Sequence, residues 1–490
     1  MFSTLYFPFV ATISASRPVN GEPFAARFVK AVTEGQLASA RSIAGRWAED
    51  PGTGDEGARV VQRHADLQLM ARVEVEAEEE YRRSQKMIRS SKRALRIASS
   101  RNAGWQALFR NRLGPALACF SRLADETDIT PSRAAEARFA LVCILQELGI
   151  TAQIGPALAD LRSRLDEIDD ESRGHWGELV DTLAFDLAVQ ADIRSAAALQ
   201  DHVFWQSSLA DHATLVFGTP SRGIDELLAD TAYVRSPLLR IRIDSLRQQR
   251  AAASGERAAF GKLLDHLRWA GEENLPDYQR TARLEAALAA LAGATPQLAE
   301  EVLAPLHHVA RQVFTGHRQL EYLYCLSKTR QSQGRGLEAT QLYSRYALVA
   351  MQCLRADSYL RALLIERNTK AAPQLDDIGA RLPAKYRRAY QFVLENLDRH
   401  DLSVREVAAE IGVTERALQS AFRTLLGLSP TELIRRQRME RIRGELLDGS
   451  SASERGILHA AGRWGVKNRS TLINGYRKQF HELPSETLKR

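Results

Sequence analysis

From about Gly21 to Leu364, apolar side chains recur three and four residues apart. Ala and Leu dominate, and the alternation that marks a strand is nearly absent. A chain patterned this way buries its apolar stripes by packing helix against helix. Phe139 to Leu148, Glu178 to Val189 and Arg283 to Leu291 are examples. Short breaks carry stop signals: Asp50-Pro51-Gly52-Thr53-Gly54, Gly149, Gly218-Thr219-Pro220 and Gly293-Ala294-Thr295-Pro296. Many helices on short loops predict an all-α bundle or a stack of helical hairpins.

Two places point to hairpins of the tetratricopeptide kind. One runs Leu323, Leu326, Gly334, Gly336, Ala339, Tyr343, Tyr346; the other has Trp105, Leu113-Gly114, Ala116 and Phe120. In each, a small residue would let two helices approach and an aromatic would fill the groove opposite. The full repeat signature is absent and the period does not hold between the sites. Residues 1–368 are therefore expected to form a helical-hairpin (tetratricopeptide-like) array with a regulatory or interaction role, and true repeats stay open.

Composition removes several classes. The chain has 490 residues, 44% hydrophobic and 26% charged, the balance of a globular protein with room for about three domains. No run of about 20 apolar residues occurs, so no membrane partner is expected. Cys119, Cys143, Cys325 and Cys353 are scattered and form no CxxC pair or zinc spacing, which predicts a reducing, cytoplasmic setting. Phe2 to Ile13 is apolar, but no basic residue comes before Arg17, so it reads as a buried start of the fold rather than a leader.

No phosphate-cradling, nucleophile-elbow or zinc-protease motif is present, and no clustered titratable set is legible. The chain is expected to be no enzyme and to need no cofactor or metal. His307, His308 and His317 share no helical face with a suitably spaced acid. Trp47, Trp105, Trp176, Trp205 and Trp269 read as core or groove residues. Glu74 to Glu80, followed by Arg82 and Arg83, reads as a solvated helix face with pairs at one-turn spacing.

The net charge of +7 is unevenly placed. Arg381 to Arg490 holds 21 Lys and Arg against 13 Asp and Glu, a net of +8, while the remainder is at −1. Such asymmetry points to a polyanion partner for that end. Residues 369–383, polar and bracketed by prolines, read as a linker, and 384–490 as a separate domain.

That domain has its own pattern. Tyr386 to Leu397 is a helix with Tyr390, Val393, Leu394 and Leu397 on one face. Ser403 and Glu406 match a capping box, opening a helix that presents Val404, Val407, Ala408 and Ile411 inward and ends at Gly412. Thr414 caps the next helix, with Leu418, Phe422, Leu425 and Leu426 inward and Glu415, Arg416, Gln419, Ser420 and Arg423 outward. Helix, glycine turn, helix is the helix-turn-helix arrangement, whose second helix enters the major groove. Arg and Gln there have the reach to read guanine or adenine edges.

A linking helix from Ser429 or Thr431 to Leu447 carries Arg435, Arg436, Arg438, Arg441 and Arg443, which suit phosphate contacts. A second helix pair follows, Glu454 to Trp464 and Asn468 to Phe480. Its last helix has Leu472, Tyr476 and Phe480 inward and Arg469, Ser470, Ile473, Asn474 and Arg477 outward.

Residues from about Tyr386 to Arg490, about a fifth of the chain, resemble the DNA-binding domain of AraC/XylS-type transcription regulators. The likeness rests on Leu402-Ser403-Val404, Val407-Ala408, Gly412-Val413-Thr414, Leu418, Phe422, Leu426-Gly427-Leu428-Ser429-Pro430 and Arg438-Met439-Glu440-Arg441. In the second pair it rests on Ala461, Gly465, Leu472, Tyr476, Phe480 and Pro484-Ser485-Glu486. The resemblance implies two recognition helices in successive major grooves. It assigns base reading to Arg416, Gln419, Ser420, Arg469, Ser470 and Asn474. Phosphate contacts are expected from Thr414, Arg423, Arg435, Arg436, Arg438 and Arg477.

The second pair departs from the family pattern. The stretch between Leu447 and Ile457 (DGSSASERG) is a few residues longer than the family pattern, Gly462 sits inside a helix, His481 replaces the usual Gly, and Leu483 replaces the usual Ser. The run Trp464 to Tyr476, the opening residues and the chain length are similar to a subgroup, the HrpB/HrpX activators of type III secretion genes in plant-associated bacteria. That likeness implies an activator acting on direct-repeat promoter boxes, with RNA polymerase as partner. Dimerisation or a protein partner is expected for the helical part, which lacks the β-rich barrel of sugar-sensing relatives. The alternative is a helical-repeat scaffold or signalling adaptor whose basic tail meets nucleic acid or membrane.

Overall fold

The computed structural model describes residues 3–15, 23–127, 129–168, 170–209, 223–307, 316–367, 378–447, 454–480 and 482–488. Among these every regular element is a helix, as the periodicity predicts. The chain divides into two compact units, Met1–Met87 with Gly104–Leu375, and Ile88–Ala103 with Asp376–Arg490.

In the first unit the opening helix Ser3–Ile13 is apolar all round, and it is accordingly buried all round. It packs against Gly54–Met70, Pro131–Glu147, Asp170–Ser195 and Pro276–Ala292. Successive helices pair as hairpins: Gly54–Met70 with Glu74–Met87, Leu113–Ala124 with Pro131–Glu147, and His317–Ser332 with Gly336–Arg367. The last pair is one of the two hairpins expected from sequence. Gly334 makes its turn at φ +73°, and Tyr346 is buried, sharing a hydrogen bond with His202 Nδ1 and accepting from the Phe204 N–H.

At the other expected hairpin, Trp105 packs edge-on against Phe120 at 5.1 Å. Gly104, which the sequence pattern did not single out, allows this approach, since a Cβ there would lie 2.9 Å from the Phe120 ring; Ala116, on the helix of Phe120, is fully buried. The sequence pattern pairs residues four apart on one helix, whereas this contact joins two helices.

The first unit also holds a polar centre. Arg242, fully buried, donates two hydrogen bonds to Asp186 (2.8 and 2.7 Å) and two to Glu285 (2.7 and 3.1 Å). Tyr6 donates to Asp186 at 2.6 Å, and Gln249 to Glu285 at 3.1 Å. Burial opposes the charge on Arg242, but the two carboxylates outweigh it and hold its pKa well above the usual value. Burial pushes the Asp186 carboxyl up against the pull of Arg242. This is a clustered titratable set that the sequence did not reveal. The helices Asp170–Ser195, Pro237–Ala253 and Pro276–Ala292 each supply one member of the Asp186–Arg242–Glu285 triad. Its members lie more than forty residues apart in the chain, and each alone looks like an ordinary surface charge.

The second unit has two apolar cores. Tyr390, Val393, Leu397, Val407, Ala408, Leu418, Phe422 and Leu426 build the first. Met439, Ile442, Leu446, Ile457, Ala461, Val466, Leu472 and Tyr476 build the second. The helix Pro430–Leu447 serves both, with Leu433 and Ile434 in the first and Met439, Ile442 and Leu446 in the second. Of the stretch read as a linker, 369–377 lies outside the described residues. Ile378–Arg381 is helical, and Ile378 and Leu382 are buried in the first core. Its flanking prolines resemble linker punctuation, yet Pro383 stands at the entry of the next helix, Ala384–Glu395.

Candidate nucleic-acid interface

Local chemistry sets each helix of the second unit. Ser403 Oγ accepts from the Glu406 N–H at 3.2 Å and opens Val404–Glu410. The reciprocal half of the expected capping box is not made, because the Glu406 carboxylate pairs with Arg399 at 2.6 Å. Gly412 turns the chain at φ +62°, and Thr414 Oγ1 accepts from the Ala417 N–H at 3.2 Å to start Glu415–Leu426. That helix buries Leu418, Phe422 and Leu426 and leaves Glu415, Arg416, Ser420 and Arg423 exposed, with Gln419 half-buried among them.

The second pair repeats the plan with different parts. Glu454–Arg463 leads through Gly465, at φ +70°, to Arg469–Phe480, whose first turn is capped by Asn468 Oδ1 accepting from the Ser470 N–H at 2.8 Å. Leu472 and Tyr476 face the core, while Arg469, Ser470, Asn474 and Arg477 are exposed. Leu483 has no side-chain acceptor, but its N–H donates to Glu486 at 2.7 Å, so half of a cap survives the loss of the usual Ser. Tyr476 and Thr487 then share a buried hydrogen bond of 2.8 Å, which closes the core. Gly462 lies in a helix as expected from sequence, whereas residues 448–453 and His481 lie outside the described residues.

On the linking helix, Ser429 and Glu432 form a reciprocal capping box at 3.2 and 3.5 Å. Its five arginines do not share one outer face. Arg435 and Arg441 are exposed, and Arg441 stands 5.6 Å over Trp464. Arg436 pairs with Glu440 at 3.2 Å, and Arg443 with Glu482 at 3.1 Å while lying 4.5 Å over Phe480.

Arg438 turns inward: its Nε donates to Leu397 O at 3.0 Å and its Nη2 to Arg399 O. Burial lowers its pKa from the usual arginine value. A Cβ on Gly465 would meet its guanidinium at 2.9 Å. Arg438 thus clamps the end of Ala384–Glu395 against the turn of the second pair. The expectation that it meets phosphate in common with its neighbours does not match this placement, because its Nε and Nη2 donate inside the protein.

Sequence reasoning missed Ser99 and Arg381 altogether. Ser99 Oγ donates to Leu425 O at 2.7 Å, and Arg381 reaches both Ser99 Oγ (3.1 Å) and Leu425 O (3.2 Å). The stretch 88–103 thus belongs to the second unit. A local signal was present, five basic residues and no acidic one, but it was averaged away in a remainder of net −1. With that stretch included, the second unit holds 26 basic and 15 acidic residues, a net of +11. His308 lies outside the described residues. Trp47, Trp105, Trp176 and Trp205 are buried in the first unit.

The arrangement offers two exposed helix faces, each rich in Arg, Ser and amide side chains, on two cores that share one helix. Residues 407–490 match the family described as "Helix-turn-helix domain". Regulatory protein HrpB of Ralstonia nicotianae is 36% identical over the whole length of both chains. The probable thc operon regulatory protein of Rhodococcus erythropolis is 31% identical over 134 residues, which is 27% of this chain and 40% of that protein. XylDLEGF operon transcriptional activator 1 of Pseudomonas putida is 33% identical over 105 residues, 21% of this chain and 31% of that one. No solved structure matches the chain. Among the described residues no helix is long and apolar enough to cross a membrane. The chain belongs to the HrpB family of regulatory proteins, DNA-binding transcription regulators that carry an AraC-type helix-turn-helix domain.

Proposed function

We infer that the protein is a cytoplasmic transcription activator that switches on type III secretion and effector genes through direct-repeat promoter boxes. The observation that carries the DNA-reading part is the pair of exposed helix faces mounted on one linking helix. Glu415–Leu426 lies in one major groove, with Arg416, Gln419 and Ser420 toward base edges. Arg469–Phe480 lies in the next, with Arg469, Ser470 and Asn474 in that role. Thr414, Arg423, Arg435 and Arg477 meet phosphates from exposed positions, and Arg436 from a half-buried one, while Arg438 holds the two readers in fixed relation. The first unit engages a protein partner or a second copy, and the DNA-bound protein recruits RNA polymerase. The likeness to HrpB over the whole chain supports the choice of target genes.

The test is selection of binding sites from random duplex DNA by the full-length protein at about 150 mM salt, a concentration at which non-specific backbone binding is already weakened. A two-part motif spaced by about one helical turn is expected. Its occurrence upstream of type III secretion operons, with loss of their transcripts when the gene is deleted, completes the assignment. Binding without a motif overturns the base-reading roles. A motif absent from those promoters overturns the choice of target genes alone.

A further inference from the structure

We propose that Ser99 and Arg381 are positioning residues for DNA reading: together they fix the direction of Glu415–Leu426, and with it the bases that Arg416 and Gln419 reach. This rests on the base-reading role proposed for that helix. The last four carbonyls of a helix have no N–H partner within it. Here Gly427, in the left-handed region at φ +70°, turns its N–H back to Arg423 O at 3.0 Å. Leu425 O is served from farther away in the chain. Ser99 Oγ donates to it at 2.7 Å, Arg381 Nη2 donates to it at 3.2 Å, and Arg381 Nε donates to Ser99 Oγ at 3.1 Å. The three groups close a ring, and both side chains are buried. The guanidinium also places a positive charge at the negative end of the helix. A second contact follows two residues on, where a Cβ on Gly427 would sit 2.9 Å from Lys92 O and 3.2 Å from the Arg96 stem.

Apolar packing alone leaves this direction loose. Leu418, Phe422 and Leu426 hold the helix to its core, and burial of that kind is non-directional. Hydrogen bonds to Leu425 O are directional and weaken steeply once misaligned. A helix rises about 1.5 Å per residue, so Arg416 stands roughly 13 Å along the axis from the seat at Leu425. A tilt of about 5° there displaces Arg416 by roughly 1 Å, and a binding group needs placement within about 0.5 Å. A bidentate base contact is lost at that displacement, whereas a phosphate contact through a long, flexible side chain is kept. The seat therefore acts on the choice of sequence and leaves general affinity for duplex DNA alone. It needs no free charge on Ile88–Ala103, only the Ser99 hydroxyl and the backbone at Lys92.

The test compares full-length wild type, Ser99→Ala and Arg381→Lys on the selected duplex, on a scrambled one, and on duplexes altered in one half of the motif at a time. Arg416→Ala marks the half that Glu415–Leu426 reads. Ser99→Ala should bind the selected duplex about five- to tenfold more weakly and the scrambled duplex within about twofold of wild type. Its salt dependence should be that of wild type, since no phosphate contact is removed. Base changes in the half read by Glu415–Leu426 should cost Ser99→Ala less than they cost wild type, and changes in the other half should cost both alike. Arg381→Lys keeps the cation but loses the forked donation, so it should repeat the pattern; it carries the test should Ser99→Ala melt early. Equal losses on selected and scrambled duplexes overturn the proposal, as do losses shared by both halves of the motif. A wild type that does not distinguish selected from scrambled DNA defeats the base-reading role beneath it. A wild type that does, with variants that match it, defeats this proposal alone.

Discussion

The first unit holds 41 basic and 45 acidic residues and places Arg242 at its centre between Asp186 and Glu285; the second holds 26 against 15 and leaves Arg416, Arg423, Arg435 and Arg469 in solvent. In the first, charge is an internal fastener: each buried group depends on a partner from another helix, and the set works only when complete. In the second, apolar side chains hold the fold and Arg416, Arg423 and Arg435 stand on its surface. Arg438 and Arg381 are informative exceptions, since they are used in the second unit as Arg242 is in the first, to tie separate elements together. An arginine's role here follows from whether acceptors meet it inside the protein, and residue type alone does not disclose that.

The largest expected effect comes from breaking the internal fastener. Arg242→Ala leaves Asp186 and Glu285 buried without their cation and should cost about 3–5 kcal/mol in urea unfolding of the full chain. Replacing all three with apolar residues of similar size should recover most of that loss. A single variant within about 0.5 kcal/mol of wild type would break the comparison.

Next is the displayed charge. Arg416→Ala should leave the melting temperature unchanged while costing about 1–3 kcal/mol of affinity on the selected site and relaxing choice at one base pair. An equal loss on scrambled DNA would remove its base-reading role.

Acid sensitivity sharpens the contrast further. In the first unit, burial lowers His202 and His266 to about 3, so both are neutral when folded. Unfolding restores a pKa near 6.5 and takes up protons below it, so this stability is present above about pH 6.5 and is lost as pH falls toward 3. Each histidine should account for about 1.4 kcal/mol of lost unfolding free energy between pH 7.5 and 5.5. His266→Gln should remove one such share from the pH dependence; an unaltered dependence would contradict the burial argument.

The smallest effect is a gain. Gly462 is exposed within Glu454–Arg463 and a Cβ there meets nothing within 4 Å, so Gly462→Ala should stabilise the second pair by about 1 kcal/mol. Slower hydrogen exchange of that helix's amides would register it, and faster exchange would refute it.

The parts legible in the sequence are those fixed by neighbours along the chain. Three- and four-residue spacing gave the helices, Thr414 and Gly412 gave a cap and a turn, and Leu418, Phe422, Leu472 and Tyr476 gave the inward faces. What stayed hidden depends on residues that meet only after folding. Glu406 fits a local cap but finds Arg399. Arg438 resembles its exposed neighbours until Leu397 and Arg399 present their carbonyls. The triad around Arg242 and the docking of Ser99 on Leu425 have no local pattern at all.

That docking bears on how such a gene can be shortened or recombined. The DNA reader is drawn from two stretches of the chain, and the matched helix-turn-helix region, 407–490, includes only one of them. A truncation or fusion made at a single point upstream of Ile378 discards the sixteen residues from Ile88 to Ala103 and leaves Arg381 and Leu425 without Ser99. Exchange of the intact unit alone between proteins would need three junctions, before Ile88, after Ala103 and before Asp376. A change in either stretch therefore alters the packing of the other, although Gly104–Leu375 of the first unit separates them in the chain.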